Sequence, residues 1–452
     1  MVAWEGLKNE KKTNALLGSV ARMMHQEELK DQSKKNEKDF TRSRKIGFIP
    51  LICLIINMVR KSTQLELDEF RERFMPESAK ATTYTKQSFS EARQKLSPVA
   101  FELLNDEFIR GFYADDNYKT YKGFRLLAID GCVMEVPNTK ETQLHYGFLS
   151  NSDKSYKVAR ALTSHLVDVE NKLAVSTTMG RYDTSERNLA KINIEKMIAL
   201  GAPHSRDLIL FDRGYPSAAF ILYLLSQGVH FLMRVSSGFY KEVVGTSTQD
   251  ETVQITITKE RAKELKAQGT PIPKGTILTL RVLKVTLSTG ETEILITDVK
   301  ADQLSQEDGK SLYFKRWGIE TRFNELKHQF EIENFSGETP TVIEQDFYAT
   351  TLLSNMASLI EQDAQEEMQE RNANKTLKYD EYKINHNILV GKLKNRLVEI
   401  LLEEDNEKKD AMYHRLITEL KCNIVPVIKG RSFPRKKQNK ANKYAKTKRR
   451  CL

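Results

Sequence analysis

The residues best suited to chemistry are three carboxylates, Asp130, Asp212 and Glu320. Asp130 interrupts an apolar strand pattern, and a charge there is costly unless it faces a polar or cationic group. Asp212 ends the apolar run LILFD, and Glu320 lies in a helical segment. Because the chain has no CxxC pair, no ligand-like histidine pair and no glycine-rich phosphate loop, these acids favour hard oxygen-binding cations, Mg²⁺ or Mn²⁺.

Two such ions would let the three acids act on a phosphodiester. Ions about 4 Å apart can activate a water or a sugar hydroxyl and stabilise the leaving oxygen of an in-line attack. Taken singly, each acid is explained better as a helix cap or an ion-pair partner. Only their joint arrangement favours a metal site.

A second pattern surrounds Glu320. In YFKRWGIETRFNELK, Tyr313, Arg316, Glu320 and Lys327 are separated by offsets of 3, 7 and 14 residues from the tyrosine. On a single helix these side chains share a stripe about 60° wide and about 21 Å long. Such a stripe could follow several phosphates of a nucleic acid backbone. A solvated helix face with intrahelical ion pairs would show the same spacing.

The elements around the acids predict an α/β unit. Between residues 123 and 235 the patterns give three strands, a helix, a strand, a helix and a strand. The apolar run that ends at Asp212 does not alternate, which indicates a sheet covered on both faces. Asp212 then lies at the carboxyl edge of a strand, where open α/β sheets bind ligands. Residues 238–300 predict an antiparallel β insertion.

Helical patterns flank this unit. They run from Phe48 to Tyr113, from about Val342 to Gln369 and from Ile384 to Leu402, after a polar start that includes a loosely ordered segment at 30–45. The helix after the predicted N-cap, Thr85 or Ser88, is polar. With Lys86 and Arg93 it resembles the reading helix of a helix-turn-helix, although ordinary helical hairpins have the same pattern.

The net charge of +10 is a property of one end of the chain. Residues 421–452 contain eight lysines and four arginines and no acid, so residues 1–420 carry about 10 − 12 = −2. A dense basic tail favours polyanions. We therefore expect this tail to bind DNA without sequence preference; a disordered solubilising end is the alternative.

The cysteines and the most apolar segment of the chain indicate the cellular compartment of the protein. The four cysteines are scattered and form neither a metal motif nor a disulfide framework, so a reducing compartment is expected. The apolar run at 46–59 has 14 residues, fewer than the roughly 20 that span a bilayer, and predicts a core helix. We expect a cytoplasmic protein with no membrane association.

The three acids, the string Asp212-Arg213-Gly214-Tyr215 and the spacing Tyr313-x2-Arg316-x3-Glu320-x6-Lys327 together resemble a known family. They are similar to the DDE transposases of bacterial insertion sequences, and within these to the insertion sequence four family with its Tyr-Arg-Glu-Lys signature. The motifs cover about residues 88–336. The signature matches in residue type and in every gap.

The resemblance implies a fold. It implies an α/β ribonuclease H-like catalytic core with an antiparallel β insertion, flanked by N- and C-terminal helical regions. The implied organisation is a helical DNA-binding region at 1–115, the first part of the core at 116–237, the insertion at 238–300, the second part of the core at 301–372, and a helical region with the basic tail at 373–452.

The resemblance also implies chemistry. Asp130, Asp212 and Glu320 would hold two Mg²⁺ or Mn²⁺ ions that activate water to nick double-stranded DNA at the inverted-repeat ends, after which the freed 3′-hydroxyl attacks target DNA. A homodimer in a synaptic complex would bring two ends together. DNA contacts would come from Tyr313, Arg316 and Lys327, and further from Arg213, Tyr215 and Arg234, although Arg234 could instead pair with a carboxylate.

Two other functions remain open from the sequence. One is a ribonuclease H-like nuclease or resolvase that cuts DNA without joining it. The other is a non-catalytic DNA-binding protein derived from a transposase. The insertion also lacks the tryptophan on which hairpin-forming members are thought to stack a flipped base, and Phe239 or Tyr240 could replace it. Trp317, beside Arg316, is expected in the core.

Overall fold

The computed structural model describes residues 2–41, 46–57, 60–80, 83–151, 157–201, 206–267, 269–287 and 290–428. Of the basic tail at 421–452, for which DNA binding is predicted, residues 429–452 lie outside these residues. None of the described helices is long and apolar enough to cross a membrane.

The elements follow one another in this order. Residues up to 113 form α1 (Val2–Met24), α2 (Glu27–Ser33), α3 (Phe48–Ile56), α4 (Thr63–Phe74), α5 (Glu77–Lys80), α6 (Lys86–Arg93) and α7 (Val99–Tyr113). The next stretch forms β1 (Arg125–Glu135), α8 (Lys140–Tyr146), β2 (Phe148–Ser150), β3 (Lys157–Asp168), β4 (Leu173–Arg181), α9 (Glu186–Ala199), β5 (Asp207–Phe211), α10 (Ala218–Ser226) and β6 (His230–Val235).

The second half of the chain continues the series. It contains α11 (Lys241–Val244), β7 (Asp250–Thr256), α12 (Lys259–Ala267), β8 (Ile277–Thr286), β9 (Thr292–Thr297), α13 (Gln306–Lys315), α14 (Trp317–His328), α15 (Pro340–Asn372), β10 (Tyr382–Ile384), α16 (His386–Leu402), α17 (Asn406–Lys421) and β11 (Ile424–Pro426).

The chain divides into two compact units. The helical unit comprises Met1–Asp115, Met134–Ala161 and Asn324–Leu452. The sheet unit comprises Asp116–Val133 and Leu162–Phe323. Asp130, Asp212 and Glu320 all belong to the sheet unit.

In the helical unit, the polar start of the chain is helical. Within α1, the residues Leu16, Leu17, Val20 and Met24 are buried, at the i, i+4 spacing of one helix face. The predicted lead-in at 30–45 is wrong at its beginning, since residues 30–33 end helix α2; residues 42–45 lie outside the described part. The apolar run forms the buried helix α3 as predicted.

The predicted DNA-reading helix, α6, is held in the helical unit by its arginine. Thr85 caps the helix in a reciprocal pair with Ser88, which confirms the N-cap. Arg93, however, is only 2% exposed, and its guanidinium donates to Asp346 (2.7 Å) and Gln345 (2.7 Å) of α15. A buried cation that is bound on several sides by protein groups has a structural role, so Arg93 is corrected from a DNA contact to a packing residue. Lys86 is exposed.

The sheet unit is built on one mixed sheet. Its strand order is β2–β3–β1–β5–β6–β9–β8–β7, with β4 paired to β3. Strand β5 is parallel to both of its neighbours, β1 and β6, whereas the pairs β6–β9, β9–β8 and β8–β7 are antiparallel. The strands of residues 238–300 therefore extend the central sheet beyond β6 rather than forming a sheet of their own.

Both faces of β1 are buried, as predicted for a covered sheet. Leu126 and Leu127, which point to opposite faces of a strand, are each fully buried. On one face, Leu126 and Ala128 of β1 and Leu208 and Leu210 of β5 share a core cluster with residues of α13 and α14, namely Leu312, Tyr313 and Ile319. Helices α13 and α14 thus cover the face that carries the even-numbered residues of β1 and β5.

Candidate active site

Strand register places Asp130 beside Asp212. Ala128 of β1 is paired with Leu210 of parallel strand β5. Two residues further along each strand are Asp130 and Asp212, and neighbouring strands lie about 4.8 Å apart. Because side chains alternate, both acids point to the same face as Ala128 and Leu210. Asp212 follows the last residue of β5, at the carboxyl edge where such sheets bind ligands.

Glu320 reaches the same region through the helices on that face. Its neighbour Ile319 is in the core cluster with Ala128 and Leu210. Arg316 Nη2 donates to Glu320 Oε1 at 3.2 Å, and the positive charge of Arg316 also acts on Asp130. The mostly buried guanidinium of Arg316 therefore binds Glu320 and is near enough to Asp130 to lower its pKa.

The predicted single stripe is two helices that meet at Arg316. Helix α13 ends at Lys315 and α14 begins at Trp317, while the backbone of Arg316 keeps helical angles (φ −53°, ψ −32°). The structure explains why residue 318 is a glycine: a Cβ atom at this position would lie 2.5 Å from Val169 Cγ1. The absence of a side chain lets the first turn of α14 approach residue 169 closely. Trp317 is 49% exposed, so its predicted core position is wrong; it lies on the outer side of this turn.

The environment of Asp130 is crowded with negative charge. Burial raises the pKa of Asp130 to about 6. The Gly131 N–H, which donates to Oδ1 at 2.9 Å, and the charge of Arg316 lower that pKa, whereas Glu186 and Asp212 raise it. Carboxylates gathered in a poorly solvated pocket disfavour the charged form of each other, and a bound cation would relieve that repulsion.

Asp212 has an oxygen available for a ligand. Its Oδ1 is buried and has no hydrogen-bond partner in the described part of the chain. The Nη1 of Arg234 lies 4.0 Å from this oxygen, but the Nε of Arg234 is engaged by Glu293 at 2.5 Å. Arg234 thus takes the carboxylate-pairing role that the sequence left open. An unpartnered carboxylate oxygen among other acids fits a hard divalent cation.

Among the described residues, no group of three or more His, Cys, Asp or Glu side chains is already spaced as metal ligands. Glu320 forms an ion pair with Arg316. The oxygen donor set, the unpartnered Oδ1 of Asp212 and the raised pKa of Asp130 nevertheless suit Mg²⁺ or Mn²⁺.

The other expected contact residues differ in accessibility. Tyr313 is buried, and the guanidinium carbons of Arg234 and Arg316 each lie 5.9 Å from its ring centroid. Lys327 pairs with Glu333 at 3.0 Å. Arg213 is exposed beside Asp212.

The remaining predicted DNA contacts are Tyr215 and two aromatic residues of the β insertion, Phe239 and Tyr240. Tyr215 is buried, so its side chain is not presented to a ligand from outside. The rings of Phe239 and Tyr240 lie 4.8 Å apart, and the guanidinium of Arg261 lies 4.4 Å from the Tyr240 ring centroid.

Glu186 is the functional candidate that the sequence did not single out. It is in the first turn of α9, where an acidic residue is common because it complements the helix dipole. That ordinary explanation hides it in the sequence. Only the fold shows that its carboxyl group lies against Gly131, the residue after Asp130.

Comparisons with known proteins match a family model, a sequence relative and a solved structure. The family model described as "Transposase DDE domain" matches residues 121–356, more than half of the chain. The transposase InsG for insertion sequence element IS4 of Escherichia coli strain K12 is 21% identical over 271 residues, which cover 59% of this chain and 59% of that relative. The match thus spans less than two thirds of the relative's length. A cryo-EM structure of the piggyBac transposase synaptic complex with hairpin DNA is 12% identical, with a TM-score of 0.42 over 91% of this chain and 85% of that chain.

Proposed function

This chain belongs to the family of transposases with a DDE domain, and from that premise we propose that it is a DNA transposase. It would cleave DNA at the ends of an insertion sequence and transfer the freed strands into target DNA. The observation that carries the proposal is the β1–β5 register, which aligns Asp130 with Asp212 on the face covered by the helix of Glu320.

We further propose that the sheet unit has a ribonuclease H-like core. The neighbouring strands β4–β3–β1–β5–β6 support this, because three strands precede an alternation of helix and strand, α9–β5–α10–β6. Strands β5 and β6 are parallel to β1. The insertion then lies on the β6 side of the core, away from β3 and β4.

Proteins of this family generally use divalent metal ions, and we propose Mg²⁺ or Mn²⁺, two ions in each site. Asp130, Asp212 and Glu320 would hold them. When bound, such ions lower the pKa of an attacking water and neutralise charge on the leaving oxygen. Gly131 fixes the orientation of the Asp130 carboxyl through its N–H, and Asp212 Oδ1 needs no rearrangement to accept a ligand.

Glu320 must leave Arg316 before it can take part. The ion pair between them is local, at i and i+4 on the helix path, so a side-chain rotation is enough to open it. The released Arg316 guanidinium could then bind a phosphate with two parallel hydrogen bonds. The ring of Tyr313 packs against the guanidinium groups of Arg316 and Arg234. Lys327, Arg213 and Lys86 would add phosphate contacts that position the DNA without reading its sequence.

We propose double-stranded DNA as the partner, with the inverted-repeat ends and the target bound in turn, and a homodimer as the smallest synaptic assembly. Two ends have to be cut and joined together, and one sheet unit carries one set of the three acids. The cytoplasmic location remains part of the proposal.

The test is a strand-transfer assay with the full chain. A labelled duplex that ends in the element's terminal repeat, taken from the DNA flanking the coding region, is supplied with a pre-cut 3′-hydroxyl, a supercoiled target plasmid and Mg²⁺ or Mn²⁺. We expect joined products with the unmodified chain and with Glu307→Gln, an exposed acid of α13, and none with Glu320→Gln. Cleavage without joining would identify a nuclease, and DNA binding without either reaction would identify a non-catalytic protein.

A further inference from the structure

The first turn of α9 is fastened to the loop that follows Asp212. Arg187 Nη2 donates to the carbonyl of Gly214 at 2.8 Å, and its Nε donates to the carbonyl of Tyr215 at 3.0 Å. Backbone carbonyls that receive a charged donor are held firmly. The position of Glu186, the residue before Arg187, relative to this loop is therefore set by the fold.

The carboxyl group of Glu186 lies against two glycines that are close in sequence to the two aspartates. A Cβ on Gly131 would lie 2.9 Å from Glu186 Cδ and 3.0 Å from Oε1, and a Cβ on Gly214 would lie 3.9 Å from Oε2. Gly131 adjoins Asp130, and Gly214 is two residues after Asp212. Neither glycine has a positive φ, so at these positions it is the missing side chain that matters, because it leaves room for the carboxyl group of Glu186.

The hydroxyl of Tyr215 gives an independent indication of a ligand. Tyr215 is 1% exposed, and its hydroxyl has no hydrogen-bond partner in the described part of the chain. Burial raises the pKa of Tyr215, and the charges of Asp130, Glu186 and Asp212 raise it further. The hydroxyl is therefore within electrostatic range of all three carboxylates and donates to none of them. A buried donor without a partner costs stability, and a water bound between the acids would accept its hydrogen bond.

We propose that Glu186 is a fourth carboxylate of the active site, which binds the divalent cation held by Asp130 and Asp212 directly or through a water molecule, and that the Tyr215 hydroxyl donates to a water of that cation. The proposal rests on the proposed function for the identity of the site. Glu186 is exposed, so a hydrated ion can reach it from solvent, whereas Tyr215 is buried.

The proposal is tested by metal binding, independently of catalysis. Mn²⁺ is titrated into the full chain without DNA, and free Mn²⁺ is measured by electron paramagnetic resonance. We expect Glu186→Gln to weaken the binding by about tenfold, because a supporting ligand is lost, and Tyr215→Phe to weaken it by about threefold, because one hydrogen bond is lost. Glu195→Gln is the matched control: it is on the same helix and contacts Tyr223, and its affinity should be unchanged.

Melting curves in EDTA establish that the variants fold, and Tyr215→Phe keeps the ring that packs near Phe211 and Phe220. Mn²⁺ binding by Asp130→Asn is measured in the same way.

These measurements separate the outcomes. Wild-type affinity in Glu186→Gln, with binding lost in Asp130→Asn, would overturn the role of Glu186. If Glu186→Gln fails to fold, an unchanged affinity in Tyr215→Phe would overturn the proposal. If Asp130→Asn also binds Mn²⁺ normally, the metal site of the proposed function fails. Absence of strand transfer, with Glu186-dependent binding intact, would leave this inference standing and reject the transposase.

Discussion

The two ends of the β1–β5 strand pair treat buried charge in opposite ways. At the amino end, Arg125 is paired in register with Asp207, and two parallel hydrogen bonds of 2.6 and 2.7 Å join them. At the carboxyl end, Asp130 and Asp212 are neighbours of equal charge, and the Oδ1 of Asp212 has no hydrogen-bond partner in the described chain.

The difference separates structure from function. A bidentate arginine–carboxylate pair satisfies both groups and specifies one register. Five residues further on, the same register brings two aspartates together, which raises the pKa of Asp130 instead of lowering it. A buried group whose pKa is strongly shifted by burial and by a charged neighbour marks a candidate functional site. The ion pair at one end thus aligns the acids at the other.

The largest expected effect comes from the carboxyl end. Asp212→Asn should reduce DNA cleavage at least about a thousandfold, because an amide is a poor ligand for a hard cation. Its melting temperature should stay the same or rise, since one of several repelling charges is removed. Cleavage rate and thermal unfolding are measured on the same preparation. A clear loss of stability, with cleavage reduced only in proportion, would place Asp212 with the structural charges.

The amino end should respond in the opposite manner. Asp207→Ala leaves Arg125 buried and unpaired, and we expect it to cost about 3–5 kcal/mol of unfolding free energy, measured by urea denaturation. The double replacement Arg125→Met, Asp207→Leu removes both charges and should recover most of that loss. A double variant no more stable than Asp207→Ala would show that the pair is not the source of the stability.

A third buried acid gives the smallest effect per pH unit, in the form of a pH-dependent stability. In the helical unit, Asp363 accepts a hydrogen bond from Tyr413 at 2.6 Å, and burial raises its pKa from the ordinary 3.8 to about 7. The folded chain then holds a proton that the unfolded chain releases. The stabilisation is complete below about pH 4 and is lost as the pH rises towards about 7, by at most about 1.4 kcal/mol per pH unit.

Asp363→Asn, which keeps the shape of the side chain but cannot titrate, should flatten this slope in denaturant unfolding followed from pH 4 to 7. The matched control is Asp405→Asn, an acid at the N-cap of α17 that is exposed in the structure. Equal slopes in the unmodified chain and in Asp363→Asn would mean that Asp363 is ionised in the folded state.

Local patterns were informative where one element decides the outcome. The non-alternating apolar run correctly predicted that β5 is covered on both faces, and the polar helix start correctly predicted the Thr85 cap, because periodicity and capping depend on residues within a few positions of each other. Arg93 and Trp317 were assigned wrongly for the converse reason. Arg93 is buried by residues about 250 positions away in the chain. Trp317 is exposed because Gly318, not the indole ring, makes the close contact with Val169.

By itself, the sequence determined which three acids are the candidates, the Tyr-Arg-Glu-Lys spacing around Glu320, and the order of the elements that carry the acids. These are properties of residue type and of short-range periodicity. The tertiary structure decided that Asp130 and Asp212 are neighbours, that Arg316 forms an ion pair with Glu320, and that the carboxyl group of Glu186 lies against Gly131. Strand register across 82 residues sets the first of these relations, side-chain packing between separate elements sets the others, and neither leaves a local signal in the chain.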